Sequence, residues 1–166
     1  MDLENLSAKV AHHIVATTFA DLPDHVVEVT KQSLLDAIGV TFAASTLGEA
    51  CGAFAEIARE AETPRGATVI GYGFKTSAAM AAFVNGSMAH SLDYEDTFDP
   101  ALVHPNAAVV PAALALAETL PNMDGRKLIT AIALGCDLAC RMGLAIDGHD
   151  KKGLSVRYMS GVFGAT

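Results

Sequence analysis

Segments with apolar residues at the three- and four-residue spacing of an α-helix follow one another along the chain, separated by proline or glycine. In the first of them, residues 4–20, Leu6 and Val10 lie on one helical face. Pro23 is placed to open a second helix that continues to about Ser45. The sequence therefore predicts an all-α fold in which the 166 residues form a single helical domain. Further helices are predicted over residues 50–61, 78–92, 106–119 and 125–146.

One short stretch departs from the helical pattern. Residues 67–73 are rich in β-branched side chains and bounded by glycine, which favours a strand. Residues 63–66, Thr-Pro-Arg-Gly, have the composition of a turn. Ser77 is placed to cap the helix that follows, and Pro105 is placed to start the helix after a polar loop.

Composition and charge exclude several classes of function. Apolar residues make up 51% of the chain and charged residues 18%, which is too apolar for a disordered protein. The net charge is −8, and a protein that binds nucleic acid needs a basic patch instead. The longest apolar run, residues 107–117, is shorter than the roughly 20 residues of a membrane span. The chain also begins without the basic segment of a signal peptide.

The number and spacing of the cysteines indicate the kind of cellular compartment. Cys51, Cys136 and Cys140 are few and odd in number, which does not suit a disulfide framework. Cys136 and Cys140 are spaced like small residues on one buried helix face. We therefore expect a cytoplasmic protein in a reducing environment.

A polar loop between two apolar helices carries the candidate chemistry. His90 and Asp93 are three residues apart and share a face if the helix continues that far. His104 precedes Pro105 at a helix N-terminus, where unpaired N–H groups favour an anion, and an imidazole there can act as an acid or base near neutral pH. The acids of the loop could equally be solvated, His90 could serve only as a structural hydrogen-bonding group, and His104 only as a helix cap.

A metal site is the other alternative for this loop. Its ligands would be His90, Asp93, Asp96 and His104, but their spacing matches no standard zinc or calcium signature. We therefore expect neither a metal ion nor another cofactor.

The same loop carries a resemblance to a known family. The motif resembles that of the MmgE/PrpD family, which includes 2-methylcitrate dehydratase and related lyases and epimerases, and the likeness covers almost the whole chain. The residues that carry it are Asn85-Gly86, His90-Ser-Leu-Asp93-Tyr-Glu-Asp96-Thr97, His104-Pro105, residues 111–118 and residues 133–143.

The resemblance implies a fold, a partner and a site. It implies the N-terminal part of a helical domain, with the family's α+β lid domain absent from this chain, and homodimers built through the helical domain. It implies metal-independent removal of a proton α to a carboxylate of a polycarboxylate, with dehydration, decarboxylation and epimerisation left open. Asp93, Thr97 and His104 fall on active-site positions of the family: His104 and Asp93 would be catalytic, and Thr97 and Asp96 would contact the substrate or shape its site.

The C-terminal segment differs from the family pattern. Ser155 stands in a glycine-rich segment where the family often carries a catalytic histidine, and a hydroxyl cannot titrate near pH 7. This disfavours a decarboxylase. Arg157 could instead bind a substrate carboxylate with two hydrogen bonds.

Two further classes of function stay open. A polycarboxylate site needs cationic groups, and the candidates, Arg141, Lys151, Lys152 and Arg157, lie far from the motif in sequence. Family chains are more than twice as long, so we expect a truncated chain that is inactive alone: a non-catalytic dimerisation module or one subunit of a split enzyme. A helical protein that binds a small anion without turnover is the remaining class.

Overall fold

Seven α-helices and one two-stranded sheet occur in the part of the chain that the structure, a computed structural model, describes: residues 5–146 and 155–166. The helices are α1 Leu6–Ala16, α2 Asp24–Leu47, α3 Cys51–Arg59, α4 Ala78–Ser91, α5 Pro105–Ala117, α6 Gly125–Ile146 and α7 Val156–Gly164. The antiparallel strands are β1 Glu62–Val69 and β2 Phe74–Thr76. The predicted helical character is confirmed, and the sheet is an addition to the predicted all-α class.

The sheet begins earlier than the sequence predicts. Residues 63–66, predicted as a turn, lie inside β1, where the pairing with β2 is irregular between Glu62 and Ala67. Gly66 makes this course of the chain feasible, because a Cβ there would lie 1.9 Å from the carbonyl oxygen of Thr76. The turn falls later, with Gly71 and Gly73 at positive φ values of 81° and 72°.

Helices α4 and α5 form the centre of the molecule and pack closely on each other. A Cβ on Gly86 of α4 would lie 3.2 Å from the carbonyl oxygen of Ala107, so the glycine allows the two backbones to approach. Helix α5 contributes Ala115 to one apolar cluster with α3, α4 and the sheet, and Val109 and Val110 to a second cluster with α2 and α6. Helix α5 is apolar on most sides because it contributes to both clusters.

Buried polar groups fix the sheet against these helices. The buried Asn85 side chain of α4 donates to the carbonyl of Thr68 at 2.9 Å and accepts from the backbone N–H of Ile70 at 3.0 Å. Just beyond α5, the Glu118 carboxylate accepts hydrogen bonds from Thr68 and from Lys75 Nζ at 2.7 Å. Burial acts to raise the pKa of Glu118, but these hydrogen bonds outweigh it and hold the pKa below its usual value.

Helix α6 has the length and composition of a membrane span. Its most apolar 18-residue window has a mean hydropathy of 1.6, and the bent pair of α2 and α3 would also qualify if it formed one span. Core helices meet the same criteria, and α6 packs against α5 and α7. The expectation that the chain has no membrane span stays a prediction.

Glycines on both helices allow α6 and α7 to cross at short distance. A Cβ on Gly135 would lie 2.5 Å from the carbonyl oxygen of Gly164, and a Cβ on Gly164 would lie 2.7 Å from the carbonyl oxygen of Gly135. Val109 of α5 packs into the same crossing, 2.7 Å from the Cβ position of Gly135. The crossing holds α7 against the central helices.

We expect Gly135→Ala to reduce the free energy of unfolding by about 1–3 kcal/mol, because the added methyl group meets backbone atoms that cannot rotate away. Gly52→Ala in α3 is the matched control, since its Cβ would have no contact closer than 3.9 Å and alanine favours the helix. Urea unfolding followed by circular dichroism measures both. Equal stabilities of Gly135→Ala and the wild type would contradict this account of the crossing.

Candidate functional site

The C-terminal end of α4 and the N-terminal end of α5 come together at one cavity. His90 lies in the last turn of α4 and His104 at the position before α5, and both side chains line a cavity of about 590 Å³. The loop between them is closed by an antiparallel bridge in which the Phe98 N–H donates to the carbonyl of Val103 at 2.9 Å. Apolar side chains form much of the remaining wall, among them Phe54, Phe83, Ala107, Ala108, Val162 and Ala165.

His104 is held by the loop backbone. Its Nδ1 lies 2.9 Å from the carbonyl oxygen of Asp96 and 3.2 Å from the hydroxyl of Thr97. A carbonyl can only accept, so Nδ1 carries the proton and the lone pair of Nε2 is left for another partner. With 16% of its side chain exposed, His104 is a mostly buried imidazole that faces the cavity. An imidazole held in this way could accept a proton from a ligand in the cavity.

Glu95 occupies a more central position than the sequence analysis gave it. Its side chain is 2% exposed, Oε1 contacts His90 Nδ1, and the same oxygen lies 3.9 Å from His104 Nδ1. Its other oxygen, Oε2, is buried without a hydrogen-bond partner among the described residues. The sequence signal for this role was weak, because Glu95 is one of four carboxylates in a polar loop and spacing does not show which one turns inward.

Asp93 lies at the end of α4 in an unusual backbone conformation. Its φ of 56° is in the left-handed region that often terminates helices, and its side chain is exposed. The ligand atoms of Asp93, His90 and Glu95 lie within 4.8 Å of one another, so this group could hold a metal ion. Of the four ligands in the metal alternative predicted from the sequence, this group includes only His90 and Asp93. The expectation that no metal is used stays a prediction.

The Asp96 carboxylate turns toward the start of α5. Its Oδ1 accepts the backbone N–H of Asn106 at 3.0 Å, which satisfies one of the unpaired donors of the helix. Burial, the largest cause, raises the pKa of Asp96 to about 6, although the hydrogen bond from Asn106 and the nearby His104 act against the rise. Asp96 and Thr97 line a second cavity of about 350 Å³, together with Cys136 and Cys140.

The cysteines beside Asp96 are free thiols. Burial raises the pKa of Cys136 and that of Cys140, the latter to about 11, and the Asp96 carboxylate adds to both shifts. A thiol with a raised pKa is a poor nucleophile. The sequence predicts that they pack as small buried residues, and in the structure both are only partly buried.

Of the remaining predicted residues, Ser155 and Arg141 do not line the first cavity. Ser155 is exposed at the position before α7 and makes no side-chain hydrogen bond to that helix. Arg157 lies in α7, but its side chain is outside the part that the structure describes, as are Lys151 and Lys152. Arg141 pairs with Asp137 at 2.7 Å in a different groove. None of the described residues that line the first cavity is a lysine or arginine.

Comparisons with known proteins agree with the resemblance seen in the sequence. A family model described as the MmgE/PrpD N-terminal domain matches residues 8–166. Cis-aconitate decarboxylases of Mus musculus and Homo sapiens are each 32% identical to this chain, over 86% of it and 30% of their own length. A cis-aconitate decarboxylase of Aspergillus terreus is 27% identical over 87% of the chain and 30% of its own length. The chain thus spans about 30% of the length of these curated relatives.

Titration of Asp96 should make the free energy of unfolding depend on pH. Its folded-state pKa, about 6, lies above the ordinary value of 3.8, so this contribution is complete below about pH 4 and is lost as the pH rises through 6. Asp96→Asn keeps an oxygen for the Asn106 N–H and removes the titration. We therefore expect the variant to gain about 1–3 kcal/mol relative to the wild type between pH 4 and 7.

Urea unfolding at a series of pH values measures this gain. Asp99→Asn, which removes an exposed carboxyl from the same loop, is the matched control. A constant difference between Asp96→Asn and the wild type across the range would show that burial of Asp96 does not control this titration.

Proposed function

Because the chain belongs to the MmgE/PrpD family and matches its N-terminal domain, we propose that it carries the proton-transfer residues of a lyase that acts on a polycarboxylate. The observation that carries the proposal is the setting of His104. Its Nδ1 is held by the Asp96 carbonyl, which leaves Nε2 as the nitrogen available to a ligand, and the ring faces a cavity of a size suited to a small metabolite.

The proposed chemistry begins at carbon. His104 Nε2 removes a proton α to a carboxylate, and the electron pair moves toward that carboxylate or expels the leaving group. The walls of the cavity are mostly apolar, and a polypeptide that covered its opening would exclude water and strengthen the electrostatic interactions inside it. The contacts of Nδ1 hold the mostly buried His104 ring in one orientation, with Nε2 available for proton transfer.

Other residues of the loop would support this step. Asp93, beside His90 and Glu95, would orient or accept a proton. The Thr97 hydroxyl lies 3.2 Å from His104 Nδ1 but lines the second cavity, so it would hydrogen-bond a substrate that reaches past His104. Asp96 would shape the site through its bond to the Asn106 N–H, so its contribution to substrate binding would be indirect. Ser155 and Arg157, at the start of α7, would meet a substrate carboxylate.

The carboxylates of the substrate need cationic partners. The described residues of the cavity wall include no lysine or arginine, so these partners would come from Arg157, from Lys151 and Lys152, or from another polypeptide. We propose that the reaction needs no metal and that the protein works in the cytoplasm, where the free thiols Cys136 and Cys140 would stay reduced.

Cis-aconitate is the first substrate to test, because the curated relatives bear its name. Dehydration of a 2-methylcitrate-like substrate and epimerisation are the alternative reactions. A protein that depends on a second polypeptide for activity, or one that only dimerises, is the second candidate function.

An apolar face on α2 favours that second candidate. Leu35, Ile38 and Phe42 follow one another at helical spacing, and their exposed fractions are 73%, 37% and 62%. Gly39 lies between them with no atom within 4 Å of its Cβ position. Exposed apolar faces of this kind mark interaction sites. We propose that a second copy of the chain or a complementing chain covers it.

Replacing His104 by alanine should lower kcat for the polycarboxylate by at least about 100-fold, because the base is removed. His12→Ala, an exposed histidine of α1, should keep wild-type activity. Consumption of cis-aconitate, 2-methylcitrate and iminodisuccinate is followed for the chain alone and with a polypeptide that supplies the rest of the family's length.

The outcomes separate the candidate functions. Turnover that survives His104→Ala would exclude the proposed role of His104. Turnover that requires the added polypeptide would identify a split enzyme, and saturable binding of a polycarboxylate without product in either mixture would identify an anion-binding protein.

The α2 face gives a separate prediction. Phe42→Glu should convert the proposed dimer to monomer at micromolar concentration, since a charge at the centre of an apolar interface is left unpaired. Gln32→Glu, on an exposed polar position of the same helix, is the control. Light scattering after gel filtration gives the masses, and a wild-type chain that is already monomeric would exclude self-association through this face.

A further inference from the structure

Two imidazoles stand side by side at the polar end of the first cavity, and each has a different partner behind it. The rings of His90 and His104 are 5.7 Å apart between centroids and tilted by 45°. His90 Nδ1 contacts the carboxylate of Glu95, whereas His104 Nδ1 contacts the carbonyl oxygen of Asp96. In both rings, Nε2 is the nitrogen that these partners leave free.

The two partners favour different protonation states. A carboxylate hydrogen-bonded to Nδ1 stabilises an imidazolium and fixes its orientation, as in the histidine–carboxylate pairs of hydrolases. A carbonyl oxygen is a neutral acceptor, which holds the ring in place with less preference for the charged form. The two rings, which line the same wall, thus differ in the group behind Nδ1, a carboxylate for His90 and a neutral carbonyl for His104.

Burial of Glu95 strengthens this distinction. With 2% of its side chain exposed, its charge must be compensated by a partner, and His90 is the nearest cationic candidate. His104 Nδ1 is farther from the same oxygen, at 3.9 Å. The titratable groups that face His90 among the described residues are Glu95, His104 and the exposed Asp93.

We propose that His90 is a second catalytic residue, the general acid, and that Glu95 is a positioning residue that holds its ring toward the cavity while His104 acts as the base. The inference rests on the proposed function of the site and identifies the residue that donates a proton during the reaction. His90 is 40% exposed at the side chain, which suits a group that exchanges protons with substrate and solvent.

The step balances for either kind of lyase. In a dehydration, His104 Nε2 takes the proton from carbon, the C–H electron pair forms the double bond, and the departing hydroxyl takes the proton from His90 Nε2 and leaves as water. In a decarboxylation, the C–C bond breaks, CO₂ leaves, and the electron pair that stays on carbon takes the proton from His90 Nε2; no C–H proton is removed in this step, so His104 accepts none. Exchange with solvent resets the histidines.

Kinetics of four variants test the assignment in whichever preparation turns over the polycarboxylate. His90→Gln should lower kcat about 100-fold or more and leave KM within about threefold, because the acid acts in the transition state. Glu95→Gln should lower kcat about 10- to 100-fold and move the high-pH limb of the kcat profile to lower pH. Glu95→Asp should restore part of the rate and the pH profile, and Asp99→Asn should match the wild type.

A measurement on the chain itself tests the geometry without turnover. In ¹⁵N-labelled protein, the Nδ1–H proton of His90 should resonate far downfield, as in a histidine–carboxylate pair, and Glu95→Gln should shift it upfield while the His104 signal stays. Absence of a downfield His90 proton, or one that Glu95→Gln leaves unchanged, would overturn the proposal.

The outcomes also separate this inference from the proposed function. If His104→Ala abolishes turnover while His90→Gln and Glu95→Gln keep wild-type kcat, His104 retains its role and His90 has none. If a chelator abolishes turnover and Glu95→Gln releases a bound metal ion, the cluster is a metal site and the acid assignment is wrong. If the wild type turns over no polycarboxylate, the proposed function fails, and the NMR result alone decides the pairing of His90 with Glu95.

Discussion

The close approach of α4 and α5 is the constraint on which the site depends. Gly86 lets the two helices meet with 3.2 Å between its Cβ position and the Ala107 carbonyl oxygen, and a larger residue would push the helices apart. Because His90 ends one helix and His104 precedes the other, the same approach sets the 5.7 Å between their rings. The packing of apolar helices thus determines the distance between two polar groups that sequence places 14 positions apart.

The loop between these helices determines how the imidazoles point. Its backbone carbonyl at Asp96 holds His104, its Glu95 carboxylate holds His90, and the Asp96 side chain accepts the Asn106 N–H at the start of α5. Two adjacent residues, Glu95 and Asp96, thus make three contacts. They follow the change of chain direction at Asp93, whose φ is 56°. Ionisation of the partly buried Asp96 is unfavourable, and the helix end that it caps offsets part of that cost.

The sequence predicted the helices well and the orientation of the loop poorly. Apolar periodicity predicted α6 over 125–146, the range that the structure shows, and Ser77 caps α4 by accepting the Met80 N–H. The strand β1 was missed at residues 63–66, because a proline and a glycine there suit a turn as well as an irregular edge of a sheet. The inward turn of Glu95 could not be predicted, since it depends on backbone angles that the spacing of four carboxylates does not encode.

Under the proposed function, the charge of the cavity wall explains why it would form only part of a polycarboxylate site. Its wall offers imidazoles and apolar surface, and the described residues that line it add no fixed positive charge. A polycarboxylate placed there would lose its hydration without compensation, which is strongly unfavourable. Under the proposed function, this chain therefore supplies the groups that move protons, and the groups that hold carboxylates must approach from outside the described wall. One part of the assembly would then transfer protons and another would neutralise the charge of the substrate. Substrate binding would bring the two parts together around the histidines.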